Sequence, residues 1–82
     1  QLDYRRPRGD RERPISPGAL ALLSRLTFRE REVALRIRDG LTTEEIAKEL
    51  RRSKLTIKTQ LAGIFRKLGV ANRSRVTAML NR

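Results

Sequence analysis

The side chains able to do chemistry in this sequence are almost all cations. Of its 82 residues, 20 are Lys or Arg and 9 are Asp or Glu, with no Cys and no His. That inventory removes the thiol nucleophile, the imidazole base and the usual zinc ligands, so no catalytic residue, metal site or cofactor is expected. Catalysis would rest on carboxylates, and these cluster near helix starts, where they complement the helix dipole. The cations fall into a pattern in the stretch "SKLTIKTQLAGIFRKLGV", residues 53–70. Ile57, Leu61, Ile64 and Leu68 recur at the spacing of one helical stripe. Opposite them stand Leu55, Thr59, Ala62, Gly63 and Arg66, flanked by Lys58 and Lys67. A face meant only for water is normally long, charged and helix-favouring. This one is low in the middle and basic at its edges. Such a helix can sink toward base edges while its cations reach bases or phosphates. The same spacing also admits Lys58, Arg66 and Lys67 as merely solvated, with Leu55 packed by the N-terminal segment.

The charge balance agrees with a polyanionic partner, nucleic acid first. Residues 27–82 hold 14 basic and 6 acidic side chains, and residues 1–26 hold 6 and 3, so the excess belongs to the folded part as well as the tail. The longest apolar run, "ALALL" at 19–23, is too short to span a bilayer, and no secretory signal is visible, so a cytoplasmic setting is expected. The chain opens on Gln rather than Met, as a fragment, a processed chain or an engineered one would.

Helical punctuation must position the basic face. Residues 1–14 carry two prolines, a glycine and five arginines and are predicted to be a flexible basic arm or linker. Residues 15–26 are predicted to be linker with a short helix, Ser16 capping it and Pro17 in its first turn. From residue 27 onward the signals become regular. Thr27 with Glu30 makes a capping box, Val33, Ala34 and Ile37 an inward stripe, and Gly40 a stop. Thr42 with Glu45 repeats the device ahead of Ile46, Ala47 and Leu50. Ser53 caps the third helix and Gly69 ends it. Asn72 caps a fourth, carrying Val76, Met79 and Leu80. Nothing alternates with period two for long enough to be a strand. The prediction is an all-α domain of four helices over residues 27–82, with a modest core. Its second and third helices, joined by about three residues, form a helix-turn-helix whose second helix can enter the DNA major groove.

The fragments "LTFREREVALRIRDGLTTEEIAKEL" and "SKLTIKTQLAGIFRKLGVANRSRV" resemble the DNA-binding domain of LuxR-type regulators, also called the FixJ or NarL type. The resemblance covers residues 26–80, and its elements stand in family order and spacing. It implies that the helix of residues 54–68 reads the major groove. It also implies base contacts from Leu55, Lys58, Thr59 and Ala62, and phosphate contacts from Thr43, Thr56 and Lys67. The Thr43 contact has its own rationale, since free N–H groups and the helix dipole attract phosphate. Lys54, Gln60 and Arg66 complete the expected phosphate-binding set. The family dimerises on DNA through its last helix, here residues 73–81, and Arg75, Ala78 and Met79 are the expected contacts. The partners implied are double-stranded DNA, a second copy of the chain and, more remotely, RNA polymerase. No membrane or small-molecule ligand is expected. The domain is usually the output module of a longer bacterial protein with a receiver or ligand-sensing domain.

Six departures from the family pattern bear on which DNA sequence is read. Arg52 replaces an aliphatic residue of the turn, either packing its stem with its guanidinium in water or binding phosphate. Gln60 replaces a frequent His, Phe28 a frequent Pro, and Glu44 a frequent Lys. Leu55 and Ala62 are less polar than many relatives at reading positions. These departures motivate a second reading, a module that docks on RNA polymerase or a partner regulator and has lost specific DNA binding. Gly63, in a helix interior, costs about 1 kcal/mol relative to Ala. It is expected on the exposed face, either as neutral drift or to let the backbone approach the duplex closely, and Ala there should stabilise the domain.

Overall fold

The computed structural model describes residues 14–81. The basic arm predicted for residues 1–14 therefore lies almost wholly outside the described residues. Five helices follow: α1 Pro17–Leu23, α2 Phe28–Arg38, α3 Thr43–Leu50, α4 Lys54–Leu68 and α5 Arg73–Leu80. No strand occurs among the described residues. The short helix predicted before residue 27 is real, and α1 packs on α5.

Each helix begins where a side chain satisfies a backbone N–H that the helix itself leaves unpaired. Ser16 Oγ accepts from the Ala19 N–H at 3.1 Å, Ser53 Oγ from Thr56 at 3.1 Å and Asn72 Oδ1 from Arg75 at 3.1 Å. Both capping boxes close: the Thr27 N–H donates to Glu30 Oε1 at 2.9 Å and the Thr42 N–H to Glu45 Oε1 at 2.8 Å. Three helices end alike, in a left-handed residue that turns the chain and lets the next N–H reach back along the helix. Leu41 N–H donates to the Arg36 carbonyl, Arg52 N–H to that of Ala47, and Val70 N–H to that of Phe65. The left-handed residues are Gly40 (φ 88°), Arg51 (φ 56°) and Gly69 (φ 70°). Two follow the expectation of glycine. Arg51 does not, and its Cβ makes this conformation cost about 1–2 kcal/mol.

The helices close on one apolar core. Val33, Ala34 and Ile37 of α2, Ile46 and Ala47 of α3, Ile57, Leu61, Ile64 and Leu68 of α4, and Val76 and Leu80 of α5 are all buried. Ala19 and Leu23 of α1, with Leu26 and Leu41 from the connections, extend it. α4 packs against α2, α3 and α5. Arg52, one residue past the left-handed Arg51, would ordinarily be the apolar residue that seals the helix end. Instead its guanidinium donates to Glu32 Oε1 of α2 at 3.3 Å. Neither free water around its head group nor an open phosphate ligand describes Arg52: it ties the turn to α2.

Gly63 corrects the sequence reading. It is buried, not on the exposed face, and a Cβ built there would stand 2.6 Å from Glu30 Oε2. The glycine lets α4 approach α2 closely at that carboxylate.

Candidate nucleic-acid interface

With Ile57, Leu61, Ile64 and Leu68 pinned in the core, helical geometry turns the remaining side of α4 outward. Lys54, Leu55, Thr56, Lys58, Thr59, Ala62 and Arg66 are exposed. Leu55, at 73% exposure, is a large apolar side chain that the described residues leave uncovered. Thr59 donates its hydroxyl to the Leu55 carbonyl at 3.1 Å, which leaves its methyl and oxygen lone pairs to face a partner. Ala62 keeps the surface low. Lys58 and Arg66 rim it, and among the described residues neither forms an ion pair.

The other expected phosphate ligands are arranged less uniformly. Thr56 Oγ1 accepts from the Ser53 hydroxyl at 3.0 Å. Lys54 reaches Glu44 at 3.2 Å, an exposed pair worth little in water and readily exchanged for a phosphate. Lys67 donates to Glu30 Oε1 at 2.8 Å. Burial works to raise the Glu30 pKa, but the hydrogen bonds from Lys67 and the Thr27 N–H, with the Lys67 charge, outweigh it, and the carboxyl lies below its ordinary value. Lys67 is thus the most committed of these cations. Gln60 is half-buried, with its Oε1 turned inward and unpartnered among the described residues.

Thr43 stands in the first turn of α3 with its Oγ1 accepting from Arg73 at 3.1 Å. The same guanidinium donates to the Leu41 carbonyl. Arg73, the first residue of α5, thereby clamps the start of α3. Lys54, Lys58, Thr43 and Arg73 line one open groove of about 390 Å³. On α5, Arg75 and Ala78 are exposed and Met79 is half-buried against the core. Sequence reasoning missed the Arg73 clamp, the Arg52–Glu32 tie and the left-handed Arg51. Only the last had a visible signal, because a helix ending at Leu50 with a cap at Ser53 leaves residue 51 to make the reversal.

Residues 24–80 match the family described as bacterial regulatory proteins, luxR family. The chain belongs to that family. As a LuxR-family domain it is a helix-turn-helix of the DNA-binding, transcription-regulating type, and α3 and α4 are its two helix-turn-helix segments. It is similar to the CsgBAC operon transcriptional regulatory protein of Escherichia coli, 39% identical over 56 residues that make 68% of this chain and 26% of that protein. It is also similar to the probable HTH-type transcriptional regulator GfsR of Streptomyces halstedii, 43% identical over 49 residues, 60% of this chain and 20% of that protein. The LuxR-family domain thus spans about a quarter or less of these curated relatives. No solved structure gives a significant match. Among the described residues no group of acids could hold a metal ion, and no helix is long and apolar enough to cross a membrane.

Proposed function

We propose that this LuxR-family domain binds double-stranded DNA sequence-specifically, with α4 in the major groove, as the output part of a longer bacterial transcription regulator. The observation that carries the reading is the exposed face of α4. Its low centre of Leu55, Thr59 and Ala62 is rimmed by Lys58 and Arg66, which have no ionic partner among the described residues. Leu55 and Ala62 suit the thymine methyl group, and Lys58 suits the paired acceptors of guanine. Thr43, Lys54, Thr56, Gln60, Arg66 and Lys67 supply the sequence-independent contacts that set register. One small module offers few contacts, so two copies joined through α5 at Arg75, Ala78 and Met79 would share an operator. Such a protein would act in the cytoplasm, on the nucleoid.

The test is enrichment of duplexes from a random pool by the 82-residue chain at near-physiological salt. A motif with two related half-sites is the expected result. A flat pool would overturn specific readout. Weak salt dependence of binding as well would favour a protein partner, RNA polymerase among them, because phosphate contacts give a steep salt slope.

A further inference from the structure

Three helices of this domain end in the same left-handed turn, and two of them use glycine. Glycine is thus the residue this chain ordinarily places in that conformation, and Arg51 is the exception at φ 56°, ψ 50°. An arginine gains nothing locally from the left-handed region, which excludes side chains with a Cβ far more than it excludes glycine. Strain kept at one position and avoided at its equivalents points to a use for the side chain. The Arg51 side chain is exposed, and among the described residues its guanidinium has neither a hydrogen-bond nor an ionic partner. Its position is specific. It stands between the end of α3 and the start of α4, and with Lys48 and Lys54 it lines an open groove of about 580 Å³. The one acid there, Glu44, is engaged by Lys54.

We infer that Arg51 is a phosphate ligand of the helix-turn-helix, held in left-handed backbone so that the turn itself grips the duplex beside the start of α4. The inference rests on the DNA-binding reading above. It adds a contact from the connection between the two helices, a segment outside the reading face of α4. A purely local role is the competing account: a cation near the C-terminus of α3 complements the helix dipole. The two accounts differ in what glycine would do at this position.

The experiment compares the wild-type chain with Arg51→Gly, Arg51→Asn and Arg51→Lys. It uses thermal melts and fluorescence anisotropy with a labelled duplex of mixed sequence over a salt series. A phosphate contact needs no particular sequence, so this probe does not require the operator. Arg51→Gly is expected to melt higher, by about 4–8 °C for each kcal/mol of strain relieved in a domain of this size. It should bind the duplex roughly five- to tenfold more weakly at about 0.1 M salt, with the log–log salt slope smaller by about 0.9. Arg51→Asn should follow it in binding, and Arg51→Lys should retain the slope. A glycine variant with wild-type affinity and slope would overturn the inference and leave the DNA-binding reading standing. One that melts lower with an unchanged slope would make the residue a helix-end cation and overturn it too. A wild-type chain with no salt-dependent affinity for the duplex would remove the DNA-binding reading and this inference together.

Discussion

Lys58 has no ionic partner among the described residues, whereas Lys67 holds the Glu30 carboxylate, so the two cations should answer differently to truncation. Lys58→Ala removes an exposed side chain that forms no ion pair among the described residues. It is expected to leave the melting temperature unchanged and to cost about 1–3 kcal/mol on the enriched duplex if it pairs with guanine. The loss on mixed-sequence duplex should be much smaller. Equal losses on both, measured side by side, would make Lys58 a phosphate ligand only. Lys67→Ala instead strands a buried carboxylate and should destabilise the fold by about 1–3 kcal/mol. Glu30 itself carries a pH dependence. Its carboxyl lies below its ordinary value in the folded domain, so the folded state favours the charged form. The stabilisation is present above the unfolded-state value and is lost as pH falls through the lowered folded value. Glu30→Gln keeps the capping geometry but loses the charge. It should therefore melt below wild type at neutral pH, with the gap closing in acid; a gap that persists in acid would mean that shape, not charge, holds Lys67.

At the scale of the helices, Gly63 is where α4 meets the Glu30 side chain of α2. In an exposed helix interior Gly63→Ala would stabilise by about 1 kcal/mol. Here the new methyl would meet Glu30 Oε2 at 2.6 Å, and Glu30 is not free to swing away, because its Oε1 holds Thr27 and Lys67. Displacing it undoes the capping box and the ion pair, and overpacking of this kind costs about 1–3 kcal/mol. Gly63→Ala is therefore expected to lower the melting temperature. In a Glu30→Ala background the same change should raise it. A rise in the wild-type background would show that the carboxylate yields easily. The contrast shows which features of the fold were legible. Thr27, Thr42, Ser53 and Asn72 announced their helices, because a cap and its partner lie within one turn. The apolar stripe of α4 was legible for the same reason. Gly63 was misplaced because its burial depends on a side chain of another helix, which no periodicity within α4 reports. The Arg73 clamp on Leu41 and Thr43 was hidden likewise.

For the molecule as a whole, a net charge of +11 draws any duplex toward the domain, but long-range attraction does not choose a sequence. On the proposed reading, choice comes from the face of α4 and from the number of copies that engage at once. The candidate reading residues were legible because exposure followed directly from the core stripe. The pairing of Lys54 and Lys67 with acids was not, since Glu44 and Glu30 come from other helices. The proposed dimer contact has a direct test on α5. Ala78 is exposed, and a charge there costs the monomer little beyond helix propensity, about 0.7 kcal/mol for Asp. Two copies of Ala78→Asp meeting across a symmetric interface would bring like charges together, because such an interface places the same patch on both sides. The variant should therefore keep wild-type affinity for a duplex with one half-site. On a duplex with two half-sites it should lose about tenfold or more, the advantage that a second linked site confers. Gel-shift titration of both duplexes reads the two quantities together. Equal behaviour of wild type and variant on the paired duplex would place the dimer contact elsewhere than α5, and equal losses on both duplexes would show that Ala78→Asp damages the fold of the single domain.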